Sequence, residues 1–164
     1  MKKLNVKKGF SLIELLVVIA IIGVLSAVGI TAYTGYTANA KEQVSRAQFA
    51  QLVSLVNAEM AKCSLGSGTY AWGGNCSAGI VDATDQNIAN HMIDLGMKSP
   101  YDQTTDVDTD QTNAAFVYYL AAAADPTGDG DFTIFCDAAA DTCEIRNNPG
   151  NGVSTMLSQT LTQE

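Results

Sequence analysis

The spacing of apolar positions changes three times along the chain. From Phe10 to Ile30 they are nearly continuous, interrupted only by Ser11, Glu14 and Ser26. A helix that is apolar on every side needs lipid or other helices around it, and about 20 residues is the length that crosses a bilayer. From Lys41 the pattern becomes amphipathic. Phe49, Leu52, Val53, Val56 and Met60 recur at i, i+3, i+4, i+7 and i+11, while Lys41, Glu42, Arg46, Ser54 and Asn57 supply a polar side. No proline precedes Pro100, so one long helix is predicted from about residue 10 to 62, its first part made for a membrane and its second for packing on a domain.

The glycine cluster in "CSLGSGTYAWGGNC", Cys63 to Cys76, ends that helix. "DATDQNIANHMIDLGM" predicts a short helix with Asp82 or Thr84 as N-cap, Ile88, Met92 and Leu95 on one face, and Gly96 as terminator. "SPYDQTTDVDTDQTN" reads as a polar loop. Alternating or β-branched runs then appear at Phe116–Leu120, Phe132–Cys136 and Thr142–Arg146, the last two flanking "DAAAD" as a hairpin. In the polar tail after Asn147 only "GVSTML" has strand chemistry, at an edge. The expected fold class is α+β, a long N-terminal helix packed on a small antiparallel sheet of three or four strands. The expected organisation is a leader over residues 1–9, a membrane-spanning helix over 10–40 and a globular head over 41–164.

Charge gives this arrangement a direction. Lys2, Lys3, Lys7 and Lys8 all precede Phe10, and no acid does. Under the positive-inside rule those lysines hold their end in the cytoplasm and place everything after Ile30 on the far side. Without the first nine residues, five bases remain (nine less four) against 17 acids, a net charge of −12. Such a surface disfavours non-specific binding of nucleic acid or anionic lipid. Cys63, Cys76, Cys136 and Cys143 all fall in this exported part, where an even number reads as two disulfides with three pairings open. A zinc site fits less well, because no CxxC occurs and His91 is remote in sequence from either pair. Local loop closure favours Cys63–Cys76 and Cys136–Cys143.

Glu14 is the position that simpler readings of the N-terminus leave unexplained. A secretory signal peptide, for which "LSA" at Leu25 to Ala27 would serve as cleavage site, has no use for a carboxylate in its apolar run. In a plain anchor an acid at depth costs on the order of 3 kcal/mol and marks a functional partner. "KKGFSLIELLVVIAIIG" resembles the leader and first mature segment of type IV pilins and pseudopilins, and "TAYTGYT", Thr31 to Thr37, extends the resemblance through Tyr33 and Tyr36. The resemblance implies that a prepilin peptidase cuts after Gly9 and that the new terminus, Phe10, is N-methylated. It implies too that Glu14 is the carboxylate assembly requires. It further implies a homopolymer through the N-terminal helix, built by inner-membrane assembly machinery from a membrane-held precursor and displayed as an extracellular pilus. Thr31 departs from the pattern, since many bacterial pilins carry proline there.

Other chemistry is sparse. "DVDTD" opens like an EF-hand loop, but Gln111 replaces the sixth-position glycine and Val117 the twelfth-position glutamate. "DPTGDGDF" offers Asp125, Asp129 and Asp131 as oxygen ligands for calcium, against the simpler reading of a solvated turn. No other cofactor is expected. Tyr118, Tyr119 and Trp72 read as packing residues. The single histidine, and no Ser/His/Asp set or phosphate-cradling glycine loop, argue against an enzyme. The expected function is a structural pilus subunit for adhesion, twitching motility or DNA uptake. The alternatives are a type II secretion pseudopilin and a membrane-anchored periplasmic binding module that never polymerises.

Overall fold

A computed structural model describes residues 9–66, 68–76, 84–108, 115–119, 123–152 and 156–162. The chain divides into two compact units, Met1–Ala38 and Asn39–Glu164. Helix α1, Leu12–Ser64, contributes to both. In the first unit it carries the continuous apolar run. Its helical backbone continues through Gly23 and Gly29, each costing up to about 1 kcal/mol relative to alanine, without a break. Thr31, Thr34 and Thr37 each donate their hydroxyl to the carbonyl three residues earlier, at 2.9, 3.0 and 2.9 Å. That geometry satisfies the hydroxyl within the helix, so threonine at position 31 prolongs it where proline would remove a backbone donor.

The second unit is built on a five-stranded sheet in the order β1-β2-β3-β4-β5. Its strands are Val107–Asp108, Val117–Tyr119, Phe132–Asp137, Thr142–Asn147 and Leu157–Thr162. The α+β class stands, with differences from the expected three or four antiparallel strands. β1 and β2, and β2 and β3, pair in parallel, while β3–β4 and β4–β5 are antiparallel and six residues long. β1 lies inside the stretch read as a polar loop. The last strand runs from Leu157, where "GVSTML" ends, and residues 153–155 of that segment lie outside the described residues.

Period-two alternation decides which side chains enter the core. Val117, Phe132, Ile134, Cys143, Ile145 and Leu161 are buried on one face of the sheet. Thr142, Glu144 and Arg146 alternate with them on β4 and stay half-exposed. Against that face pack Leu52, Val56 and Met60 from α1, and Ile88, Ala89 and Met92 from α2, Thr84–Asp94. Phe49 and Val53 are half-buried beside them. Helix α2 ends as expected at Gly96, whose φ of 80° admits the reversal. Its amide donates to Ile93 O at 2.8 Å and the next amide, of Met97, to Met92 O at 3.1 Å, which satisfies two terminal carbonyls. Leu95 is the exception on the expected face. It falls on the outer side of the last turn, half-exposed, and the described core takes Met97 instead. Asp82 lies outside the described residues.

Disulfides join Cys63 to Cys76 and Cys136 to Cys143, with Cα atoms 5.2 and 4.0 Å apart. The first ties the end of α1 to a loop in which Trp72 stacks on Tyr70, ring centroids 5.0 Å apart. The second bridges facing residues of the β3–β4 hairpin. Loop closure in the unfolded chain makes each worth roughly 2 to 3 kcal/mol.

The segment Asn147–Gly150, legible only as polar tail, is a buried junction, with Asn151 exposed at its end. Asn147 has no exposed surface. Its Oδ1 accepts the hydroxyl of Ser45, equally buried on α1, at 3.0 Å, and its Nδ2 donates to Asp131 O at 3.0 Å. Tyr101 donates its hydroxyl to Pro149 O at 2.8 Å, and Gly150 N–H donates to Asn148 Oδ1 at 3.0 Å. Asn151 Nδ2 reaches Asn39 Oδ1 at 3.0 Å and Glu42 Oε2 at 3.2 Å. Gly150 has a φ of 77°, and a Cβ there would stand 2.5 Å from Tyr101 Cζ and 2.9 Å from the Cβ of Asp129. Gly150→Ala therefore meets both backbone strain and overlap. It should lower stability by about 2 kcal/mol or more, measured as a shifted urea midpoint for the full chain in detergent.

Candidate functional site

The N-terminal segment holds the residues to which the sequence assigns processing and assembly. Gly9 and Phe10 precede α1 in non-helical backbone, and Phe10 is 92% exposed. Ser11 and Glu14 then form a reciprocal pair. Ser11 N–H donates to Glu14 Oε2 at 2.7 Å, and Glu14 N–H donates to the Ser11 hydroxyl oxygen at 3.3 Å. This is a capping box: serine at the N-cap and glutamate three residues later satisfy two helix-end donors that have no carbonyl partner. The signal S-x-x-E stands in "FSLIE" and was readable beside the apolar run. Glu14 thus carries a local structural duty as well as a charge, and the carboxylate also favours the positive end of the helix dipole.

Beyond Glu14 the unit shows apolar surface on all sides. Leu12, Ile13, Leu15, Leu16, Val17 and Val18 are each about half-exposed or more, and the same holds on through Ile30. Soluble monomers rarely expose so much contiguous apolar area, so this surface is made for lipid or for like helices. Among the described residues α1 is the one helix long and apolar enough to cross a membrane.

Residues 4–30 match a family model described as the prokaryotic N-terminal methylation motif. The chain carries the prepilin leader signature of type IV pilins and pseudopilins. No curated protein and no solved structure gives a match. The matched residues include Gly9, Phe10 and Glu14, and with the apolar helix they support a pilin- or pseudopilin-like secreted subunit and fit a membrane-anchored precursor.

The acidic residues singled out in the head do different things from one another. Asp125 Oδ1 accepts a hydrogen bond from Arg146 at 2.8 Å, and Arg146 also binds Glu144 at 2.9 Å. Asp129 is exposed beside the Gly150 junction. Asp131 is 7% exposed, and burial, with the charge of Asp102 second, pushes its carboxyl up to about 7. Gly128 has its Cα turned toward that carboxylate, so any larger residue at 128 would overlap it. Among the described residues no three carboxylate, histidine or cysteine side chains gather as a metal set. Glu59 is a buried acid the amphipathic pattern did not single out. Burial pushes its carboxyl up, but hydrogen bonds from Lys62 at 2.9 Å and from the Ala71 amide at 2.7 Å outweigh it and hold it low. It pins the Cys63–Cys76 loop to α1. Tyr118 is buried with its hydroxyl oxygen accepting from Ala115 N–H at 3.0 Å, and Trp72 is half-buried against the core, as packing residues.

Proposed function

We propose that the chain is the structural subunit of a type IV pilus. On this reading it is inserted with its lysines in the cytoplasm and cut after Gly9. It is then methylated on Phe10 and polymerised by packing of the 10–40 helix into a surface filament for adhesion, twitching motility or DNA uptake. The observation that carries the reading is one carboxylate, Glu14, at the start of a helix apolar on all sides and within the methylation motif. The cap with Ser11 would serve any helix, but glutamine makes the same cap without a charge, so a full charge on so apolar a helix points to a partner. Packing against copies of itself gives both the apolar surface and the carboxylate a partner. A type II secretion pseudopilin shares every N-terminal feature.

Deletion of the coding sequence, followed by electron microscopy of sheared surface fibres, tests the reading. Loss of long fibres that returns with the wild-type chain is the expected result. A secretion defect without any fibre phenotype would move the chain to the secretion piston, and neither effect would leave a non-polymerising anchored module.

A further inference from the structure

The second unit carries 16 acids (17 less Glu14) and five bases (nine less four). Three of the bases are neutralised at once: Arg46 by Glu42 at 2.9 Å, Lys62 by Glu59 at 2.9 Å, and Arg146 by Asp125 and Glu144. Lys41 and Lys98 make no ion pair among the described residues, and both line one groove of about 330 Å³ between α1 and the segment after α2. Two uncompensated ammonium groups in one place on so acidic a surface is a biased distribution.

The groove has further built features. Lys41 is held in position: its Nζ donates to Tyr101 O at 3.3 Å and stands 5.4 Å from the centre of the Tyr101 ring. Gln48 Nε2 donates to Lys98 O at 3.1 Å, which leaves Gln48 Oε1 buried with no hydrogen-bond partner. Val44, also in the lining, is 47% exposed and supplies an apolar wall. The complement of this surface is a chain segment offering carboxylates and an apolar side chain.

We propose that the groove receives an acidic surface segment of a second copy of this chain. The proposal rests on the polymer reading above. Heads with this excess of acids repel one another when helix packing crowds them, and the repulsion is relieved where an unpaired lysine meets a neighbour's carboxylate. A second copy is favoured over a dissolved polyanion because assembly itself supplies the neighbour at high effective concentration, while a polyanion must approach against the field of the whole head.

The test uses fibres assembled from the full chain and treated with a carbodiimide, which joins a lysine amine to a carboxylate only where the two touch. Covalent dimers are expected, with Lys41 or Lys98 joined to an aspartate or glutamate in mass spectra of the dimer band. Lys41→Gln with Lys98→Gln should lower the dimer yield at least tenfold. Lys41→Glu with Lys98→Glu should reduce fibres further than the glutamine pair, and the gap should narrow in high salt. Intact disulfides and an unchanged melting curve check that the variants fold. Abundant wild-type fibres whose couplings bypass both lysines would overturn this inference and leave the pilus reading standing. Fibres that retain added DNA through these lysines but show no coupling would overturn it in favour of a polyanion. A wild-type chain that forms no fibres removes the pilus reading and this inference together.

Discussion

Glu14→Gln is expected to lower fibre yield as severely as Glu14→Ala, while Ser11→Ala leaves most fibres in place. The three variants separate the two duties of one carboxylate. Glutamine retains the capping geometry that Ser11 and Glu14 share at 2.7 and 3.3 Å, so it keeps the cap and removes only the charge. Ser11→Ala removes the serine side of the cap, which costs about 1 kcal/mol, and keeps the charge. On the proposed pilus reading, cleavage after Gly9 would free the Phe10 amine, leaving that amine and the Glu14 carboxylate as opposite charges at one end of an apolar helix. Between staggered copies an incoming amine would then meet the carboxylate of the subunit above it, and the attraction would select one axial register where apolar contact alone is indifferent. Removing one partner of such a pair in a low-dielectric setting costs about 3–5 kcal/mol, more than about a hundredfold in association. Gly9→Val acts earlier, blocking cleavage and leaving Lys2, Lys3, Lys7 and Lys8 attached. Sheared fibres measured beside membrane-bound subunit check all four. Normal fibre yield from Glu14→Gln would end the charge-pair mechanism, and fibre loss from Ser11→Ala would show that the cap is what assembly needs.

Much of this molecule was legible because its signals are local. The apolar run, the i, i+4, i+8 spacing of Leu52, Val56 and Met60, the terminator Gly96 and the hairpin around "DAAAD" each specify structure within a few residues. What escaped depends on distant partners. β1 is two residues long, too short for a periodicity of its own, and stands as a strand only beside β2; β2 was legible within Phe116–Leu120, but its parallel pairing with β1 and β3 was not. β5 has Leu157 and Leu161 two turns of the pleat apart with exposed Gln159 between them, which reads as polar coil until β4 is beside it. Ser45 and Asn147 are polar and look solvated in sequence, yet each is buried because the other supplies its hydrogen bond across 102 positions. Polar residues that satisfy one another over such a distance leave no mark in either segment. At the candidate site both the position of Glu14 and its capping partnership with Ser11, as S-x-x-E, are written in the sequence.

Stability of the second unit should fall as pH rises from about 4 to 8, with Asp131 as the main cause. Its carboxyl is raised from the ordinary aspartate value to about 7, first by burial and then by the charge of Asp102. A raised carboxyl favours the folded state while it is protonated. That contribution is complete below the unfolded value of 3.8 and is lost as pH climbs through about 7. The difference corresponds to at most about 4 kcal/mol between the two ends of the window. Several other carboxylates act in the opposite sense. Glu59, Asp102 and Glu144 are held low, and their contributions disappear as pH falls through the acid range. Stability should therefore peak near about pH 4 to 5 and decline on both sides. Asp131→Asn keeps the shape and stays neutral, so above pH 7 it should be more stable than the wild type by on the order of 2 kcal/mol, with a flatter profile between pH 5 and 8. Thermal melts of the full chain in detergent, followed by circular dichroism across that range, measure it. A wild-type profile that stays level from pH 5 to 8, or an Asn variant with the same slope, would show that Asp131 does not titrate in this window.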